Sequence, residues 1–146
     1  MQGQQVWNKD SQLTGSSLDI QSAQLTVEDK LKLNASQLNL SDKGELIGDI
    51  QAKADSHIQL GDGTEATANY QGQIALENSQ LQVKQNWEGG VQATDSKIEM
   101  LGGVHQWNAA SILENTTVKM NQTDLTVRSN LNGIFQLNSA VLNLMN

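Results

Sequence analysis

The sequence predicts an all-β fold, a parallel β-solenoid, in which the chain winds into a coil of short strands stacked rung upon rung. Three observations predict it: a five-residue motif recurs at a nearly constant spacing, apolar and polar residues alternate within it, and similar residues return at equivalent places throughout the 146 residues. A coil that lays each repeat over the preceding one explains all three, because equivalent positions then stack about 4.8 Å apart. A meander of hairpins does not predict this recurrence, and the pattern of leucine-rich repeats is absent.

The motif consists of a hydroxyl residue followed by two polar–apolar pairs, as in SQLNL at 36–40 and SKIEM at 96–100. Its alternation is the period-two signature of a strand with one buried face. The copies are 20, 20, 23, 17, 20 and 23 residues apart, and the seventh is degraded. We predict that the hydroxyl residues form an inward ladder, composed of Ser16, Ser36, Ser56, Ser79, Ser96, Thr116 and Ser139.

A corner of the coil is predicted directly before each hydroxyl residue. The residues there are mostly Gly, Asp or Asn, which tolerate a left-handed or turn conformation. They are Gly15, Ala35, Asp55, Asn78, Asp95, Asn115 and Asn138. A small hydroxyl side chain fits beside such a corner and can bond the neighbouring backbone.

A second apolar column lies nine residues before the hydroxyl residues. It contains Trp7, Val27, Ile47, Tyr70, Trp87 and Trp107. A third, looser column lies closer to the motif, so each rung carries three short strands. The coil should have about seven rungs of about 20 residues and a length of about 30–35 Å. Because Trp87 and Trp107 belong to a column, we expect them to pack inside the coil rather than to bind a ligand.

The composition excludes several classes of function. The net charge is −7 and the nine Lys and Arg residues are scattered singly, which argues against binding to nucleic acid or to an anionic membrane surface. The chain contains no Cys, so it has no disulfide and no thiolate metal site. No segment approaches the roughly 20 apolar residues of a membrane-spanning helix.

Catalytic and metal-binding patterns are also missing from the sequence. His57 falls at an outward position, and no Gly-x-Ser-x-Gly elbow occurs. The acidic residues around Asp62 do not have the spacing of an EF-hand. The segment is therefore predicted to be no enzyme and to bind neither metal nor cofactor.

The spacing between columns is longest after Leu60 and after Met120, which predicts protruding corner loops at 61–69 and 121–130. Solenoids usually place recognition in such loops. The candidate binding residues are Asp62, Thr64, Glu65, Gln122, Asp124 and Arg128.

Several stretches resemble the stalk of the serine protease autotransporters of enterobacteria and of the related immunoglobulin A proteases. They include WNAASILENTTVKM at 107–120 and YQGQIALENSQLQV at 70–83, and the resemblance covers nearly the whole chain. It implies a right-handed, three-faced β-helix within a passenger domain that a C-terminal β-barrel secretes through the outer membrane. The family's protease domain and barrel have no counterpart in these residues. We therefore expect 1–146 to be one β-solenoid segment of a longer passenger, secreted or displayed on a bacterial cell surface.

Three hypotheses for function follow. The first is a structural stalk segment of a virulence factor, which presents an upstream domain and assists export by stepwise folding. The second is an adhesin that binds a host protein or glycan through the two corner loops. The third is a glycan-cleaving solenoid. In addition, the isolated segment would expose two open rung ends, which favour end-to-end self-association.

Overall fold

The computed structural model describes residues 3–61, 69–84, 87–109, 111–128 and 131–145, with the backbone alone at 131–133. The strands in these residues are β1 (Gly3–Trp7), β2 (Ser11–Thr14), β3 (Ser17–Gln21), β4 (Ala23–Asn34), β5 (Gln37–Ser41), β6 (Glu45–Lys53), β7 (His57–Leu60), β8 (Asn69–Glu77), β9 (Gln80–Val83), β10 (Trp87–Thr94), β11 (Lys97–Leu101), β12 (Val104–Trp107), β13 (Ser111–Asn121), β14 (Asp124–Val127), β15 (Leu131–Asn138) and β16 (Val141–Leu144). No helix in the described residues could cross a membrane. The predicted all-β class is confirmed.

The strands form a parallel β-solenoid of about six turns, close to the predicted seven rungs. Each rung passes through three stacked ladders, which we call the first, second and third faces. The first face contains β1, β12, β14, β16 and the leading parts of β4, β6, β8 and β10. The second contains β2, the trailing parts of those four strands and the leading parts of β13 and β15. The third contains β3, β5, β7, β9, β11 and the trailing parts of β13 and β15.

The core is filled by alternate residues of each strand, as the period-two pattern predicts. On the third face the two apolar positions of the motif stack in register through successive rungs. From the second rung to the sixth they are at most 2% exposed: Leu38, Leu40, Ile58, Leu60, Leu81, Val83, Ile98, Met100, Val118 and Met120. Burial of each such side chain contributes about 1.5–3 kcal/mol, so stacking is the main source of stability.

The predicted corners lie between the second and third faces. Six of the seven predicted residues have the left-handed backbone expected there, with φ of 56° at Gly15, 48° at Ala35, 61° at Asp55, 45° at Asn78, 49° at Asp95 and 47° at Asn115. The seventh prediction is wrong, because Asn138 is the last residue of β15. The last rung has no such corner. Instead β15 pairs with the second-face and third-face parts of β13 in one unbroken strand.

This shortened rung also corrects the seventh member of the hydroxyl ladder. Thr117 pairs with Ile134, so the third-face strand of the last rung begins well before Ser139. Ser139, with φ 48°, lies instead at the next corner, which follows the third face. Asp124 pairs with Val141, so two residues earlier Gln122 is in line with Ser139. The repeat length of the earlier rungs predicts a position too far along the chain here, because the last rung has fewer residues between its second and third faces.

The predicted protruding loop at 121–130 is also corrected. Its middle is strand β14, which pairs with β12 on one side and β16 on the other. Leu125 and Val127 are fully buried, so the alternation of a rung strand continues through this stretch. The other predicted loop, 61–69, lies mostly outside the described residues.

Candidate functional site

The hydroxyl residues join successive rungs at the corner between the second and third faces. At four steps of the ladder the backbone N–H donates to the hydroxyl oxygen of the next rung: from Ser16 to Ser36 Oγ at 3.2 Å, from Ser36 to Ser56 Oγ at 3.2 Å, from Ser79 to Ser96 Oγ at 3.1 Å and from Ser96 to Thr116 Oγ1 at 3.2 Å. The inner members, from Ser36 to Thr116, are at most 4% exposed.

Each hydroxyl also donates within its own rung. Ser36 Oγ donates to the Asn34 carbonyl at 2.9 Å, and Ser96 Oγ donates to the Thr94 carbonyl at 2.7 Å. The left-handed corner residue in between turns that carbonyl toward the hydroxyl. A side chain that both donates and accepts is required at this place, which explains why Ser and Thr recur there. Ala would leave the N–H of the neighbouring rung without this acceptor, while the carbonyl would keep its bond from a backbone N–H, as Asn34 does from Gly15 and Thr94 from Asn78.

Two further buried hydroxyls serve the same purpose outside the motif. Ser111 Oγ accepts from the Val91 N–H at 3.3 Å and donates to the Ala109 carbonyl at 3.2 Å. Thr123 Oγ1 contacts the carbonyls of Met100 and Asn121 at 3.2 and 3.0 Å. Sequence reasoning missed both, because neither lies in the hydroxyl-x-apolar-x-apolar frame. Thr123 does follow two polar residues, Asn121 and Gln122, which is a signal that could have located it, whereas Ser111 follows two alanines and carries no such signal.

The predicted apolar column resolves into two columns of the first face, two residues apart. Trp7 stacks on Val27, and Trp107 stacks on Val127 at the same position of later rungs. Tyr70 and Trp87 occupy the preceding inward position, where Trp87 pairs with His105. Ile47 belongs to neither column: it pairs with Gln71 and is only half-buried, while its neighbour Leu46 pairs with Tyr70 and is fully buried. Ile47 pairs with Thr26, so it lies one residue before the position in line with Val27. The irregularity that follows shifts the register by two residues, since Lys30 pairs with Asp49, and a count back from Ser56 therefore misses the column.

Glycines occupy the second inward position in the two rungs whose first position holds Tyr70 or Trp87. Gly72 and Gly89 are paired neighbours there, beside Tyr70 and Trp87. A Cβ on Gly89 would lie 2.1 Å from the Gly72 carbonyl oxygen and 2.8 Å from Trp87 Nε1. A Cβ on Gly72 would lie 2.2 Å from the carbonyl oxygen of Gly48. These three backbones therefore approach too closely for any side chain, and the adjacent rings fill the space instead.

The rings form a short buried stack along the axis. The ring centroids of Tyr70 and Trp87 are 6.2 Å apart, and those of Trp87 and Trp107 are 5.7 Å apart with planes at 60°. Edge-to-face contact of this kind is a favourable aromatic geometry. Tyr70 donates its hydroxyl toward the carbonyls of Gly48 and Gln73, each at 3.1 Å, and burial raises its pKa.

His105 is fully buried beneath this stack. Its Nε2 lies 3.0 Å from the Gly102 carbonyl oxygen, which assigns the proton to Nε2. Its Nδ1 and the Nε1 atoms of both tryptophans have no hydrogen-bond partner among the described residues. Burial lowers the pKa of His105, and the bond to Gly102 opposes that shift. Sequence reasoning did not place this side chain, because its neighbours in sequence do not reveal the register with Trp87.

The outer surface carries hydrogen bonds between amides and carboxylates of adjacent rungs. Asn39 donates to Asp19 at 2.6 Å, Gln24 to Glu45 at 2.6 Å, Asn108 to Glu88 at 2.6 Å and Gln82 to Glu99 at 2.9 Å. Ion pairs are fewer in the described residues, joining Lys32 to Asp10 and Lys53 to Glu77. Neutral amides thus replace cations as partners for much of the acidic surface.

Three of the candidate loop residues lie in the part of the chain that the structure describes. Gln122 is at a corner with φ 51°, and Asp124 is an exposed residue of β14. Arg128 is exposed, and its backbone N–H donates to the Trp107 carbonyl. Asp62, Thr64 and Glu65 lie outside the described residues. Within the described ranges, no group of three or more His, Asp and Glu side chains is arranged to hold a metal ion.

The chain is similar to two serine protease autotransporters. It is 34% identical to the serine protease SepA autotransporter of Shigella flexneri over 125 aligned residues, covering 68% of this chain and 9% of the relative. It is 32% identical to the serine protease EatA of Escherichia coli O78:H11 over 108 aligned residues, covering 56% of this chain and 8% of that relative. The chain thus spans less than a tenth of either protein.

No family model and no solved structure matches the chain. The similarity to both relatives agrees with the parallel β-solenoid, and with the resemblance that the repeated motif carries. Over the part that aligns, this chain is a homologue of the serine protease autotransporters.

Proposed function

We propose that the chain is a structural segment of an autotransporter passenger, a stalk that holds a functional domain away from the bacterial cell surface. The observation that carries this proposal is the unbroken parallel register, in which the hydroxyl ladder and the buried columns join each rung to the next. The relatives are serine proteases, and this segment aligns with less than a tenth of each. We assign catalysis to other parts of such a protein and none to this segment.

Export by stepwise folding is the second part of the proposal. The strongest packing joins strands of neighbouring rungs, such as β4 with β6 and β6 with β8. In such a quasi-one-dimensional fold each new rung is stabilised by the rung already formed. Folding can therefore proceed as the chain emerges on the outer side of the membrane, and the free energy of each added rung would oppose backward movement.

The surface and composition favour the same proposal. The chain has no Cys, so no disulfide can form before export is complete. The amide–carboxylate pairs hold neighbouring rungs together on the outside without long, flexible cationic side chains. A rigid spacer needs this kind of lateral connection along its length.

A graft tests both parts. This chain would replace the aligned segment of the Shigella flexneri relative, and two quantities would be measured: the amount of protein in the medium and the protease activity per secreted molecule. For a structural segment, we expect both quantities to stay near those of the unmodified relative. Loss of activity per molecule, with normal secretion, would show that the segment has a more direct role.

A destabilised graft separates the two parts of the proposal. Trp87→Ala with Trp107→Ala removes two buried rings and should lower the secreted amount while the activity per secreted molecule stays unchanged. Ser17→Ala, at an exposed position of β3, is the control and should leave secretion unchanged. Secretion that is unaffected by the paired tryptophan changes would contradict the export role and leave the stalk role standing.

A further inference from the structure

A groove of about 370 Å³ lies on the outside of the third face. Its walls are two columns of outward side chains that run along the axis of the coil. One wall contains His57, Gln80, Lys97 and Thr117, which are neighbours in register. The other contains Gln82, Glu99, Lys119 and Gln136, also in register. Two residues of extended strand separate the walls, so they stand about 7 Å apart.

The floor of the groove is backbone. Leu81 and Ile98 lie between the walls in sequence, and their side chains point into the core, each 1% exposed. The walls are high here because most of their members are long. In the first two rungs the equivalent positions hold Ser17, Asp19, Gln37 and Asn39, and all of these except Gln37 are shorter than the glutamines and lysines of the groove. The groove is therefore a property of particular residues on the later rungs, and not of the coil in general.

The charge of the groove differs from that of the whole chain. The chain has a net charge of −7, yet the groove has two ammonium groups, Lys97 and Lys119, against the single carboxylate of Glu99. That carboxylate already accepts a hydrogen bond from the Gln82 amide at 2.9 Å. The ion pairs of the described residues involve neither lysine. Lys97 and Lys119 stand diagonally on opposite walls of adjacent rungs, with Glu99 and Thr117 at the other two corners. An anionic group over Thr117, on the side away from Glu99, would have both ammonium groups as neighbours.

The lining favours a sugar chain over a peptide. The N–H and C=O groups of the floor are engaged in the parallel ladder, so a peptide could not add to the sheet as a strand. None of the residues that line the groove is an exposed large apolar side chain that could anchor an apolar peptide residue. Amide, hydroxyl, carboxylate and ammonium groups at each rung instead match the dense hydroxyl and acid groups of a polysaccharide.

We propose that this groove binds an extended acidic oligosaccharide, with a carboxylate or sulfate of the sugar held between Lys97 and Lys119. The amides of Gln80, Gln82 and Gln136 would bond the ring hydroxyls on either side. This binding is independent of the stalk role. It would let a passenger adhere to acidic glycans while another part of the protein acts.

Calorimetric titration of the purified chain tests the proposal. The probes are oligosaccharides of hyaluronan, which carries carboxylates alone, and of chondroitin sulfate, which carries sulfates as well. Neutral dextran and poly-glutamate serve as comparison ligands. We expect binding of at least one acidic glycan, weaker at high salt because these charges are exposed, and no binding of dextran.

Matched variants locate the site. Lys97→Gln with Lys119→Gln should weaken binding about tenfold, since two charge-assisted hydrogen bonds are lost. Lys9→Gln with Lys43→Gln makes the same change in net charge at exposed positions away from the groove, and should change affinity by less than about twofold. Replacement of both groove lysines by Arg should keep the binding. Thermal unfolding checks that each variant remains folded.

Several outcomes would overturn the proposal. These are failure of the unmodified chain to bind either acidic glycan, and equal losses in the two double-glutamine variants, which would indicate non-specific charge attraction. Binding of poly-glutamate as tight as that of the glycans would assign the groove to acidic peptides instead. Equal binding of dextran would show that the lysines do not select the ligand.

Discussion

The rung that carries Trp87 and the next rung, which carries Trp107, fill the same interior space in two ways. In the first, the indole occupies the first inward position of the first face and Gly89 the second. In the next, His105 occupies the first position and the indole of Trp107 the second. Both indoles are at most 2% exposed, and they meet edge to face. Both rungs place one indole in the interior, but at different positions, and the later rung adds the His105 imidazole where the earlier one has the indole of Trp87.

The corners of the two rungs differ accordingly. The Trp87 rung passes from the first to the second face inside one strand, β10. The Trp107 rung leaves β12 at Trp107 and enters β13 at Ser111, and the N–H groups of Asn108 and Ala109 both donate to the Gly89 carbonyl. Glycine at the second position permits the tight passage, since its backbone can approach the rung below. A bulky residue there requires a longer corner.

Removal of either indole is expected to have the largest effect. Trp107→Ala and Trp87→Ala should each lower the free energy of unfolding by about 3–5 kcal/mol, because each leaves a cavity in a close-packed core. Denaturant unfolding followed by circular dichroism measures this. Trp7→Ala, on the half-buried end rung, is the comparison and should have a smaller effect. A change below about 1 kcal/mol in the inner rungs would contradict the assigned packing.

The double variant, Trp87→Ala with Trp107→Ala, measures the interaction energy between the two indole rings. The coupling energy of the double-alanine cycle should be about 0.5–1.5 kcal/mol, the range for edge-to-face pairs. Strictly additive losses in the unfolding free energy would show that the two rings do not interact.

Addition of a methyl group tests the tight passage of the Trp87 rung. Gly89→Ala should destabilise the coil by about 3 kcal/mol, because the new Cβ meets a backbone oxygen that cannot move without disturbing the ladder. Gly102→Ala places a Cβ in open space at φ +76°, so only backbone strain of about 1–2 kcal/mol is expected. If the two variants unfold at the same denaturant concentration, steric exclusion at Gly89 is not the reason for its glycine.

Loss of one ladder hydroxyl should have an intermediate effect that is similar in the two rungs. Ser96→Ala should lower the unfolding free energy by about 1–3 kcal/mol, because the N–H of buried Ser79 loses its acceptor. Thr116→Val should behave alike, since Thr116 Oγ1 receives the Ser96 N–H and donates to the Glu114 carbonyl. Ser17→Ala, at an exposed neighbouring position, should stay within about 0.5 kcal/mol of the unmodified chain.

The buried imidazole should make stability depend on pH, and this effect distinguishes the Trp107 rung. The pKa of His105 is lowered in the folded chain from 6.5, the ordinary value. Above that ordinary value both states are neutral at this residue, and the pH has no effect through it. As the pH falls below it, the unfolded chain takes up a proton that the folded chain does not, and stability decreases by up to about 1.4 kcal/mol per pH unit. Below the lowered folded pKa the decrease stops.

Unfolding curves at several pH values measure this dependence. His105→Leu should remove the part of it that lies below 6.5, while His57→Gln, on the half-buried outer wall of the groove, is the matched control. An unchanged pH profile in His105→Leu would show that the imidazole is protonated without loss of stability.

The sequence by itself determined the rungs, the hydroxyl ladder from Ser16 to Thr116 and the left-handed corners. These features depend on local requirements: a strand with one buried face needs alternation, a left-handed position favours Gly, Asn or Asp, and a buried corner needs a donor and acceptor in one side chain. Such requirements act within a few residues, so they leave a pattern that recurs with each turn.

Only the tertiary structure decided the register between rungs. Trp87 and Trp107 both stand nine residues before a hydroxyl, yet they belong to different columns, because the corners between them differ in length. The shorter passage after Ile47, the omitted corner before Ser139 and the strand at 124–127 have the same origin. A spacing counted along one rung cannot show how many residues the neighbouring rung uses at its corners. That number is set by how closely two backbones can approach, and hence by contacts between residues far apart in the sequence.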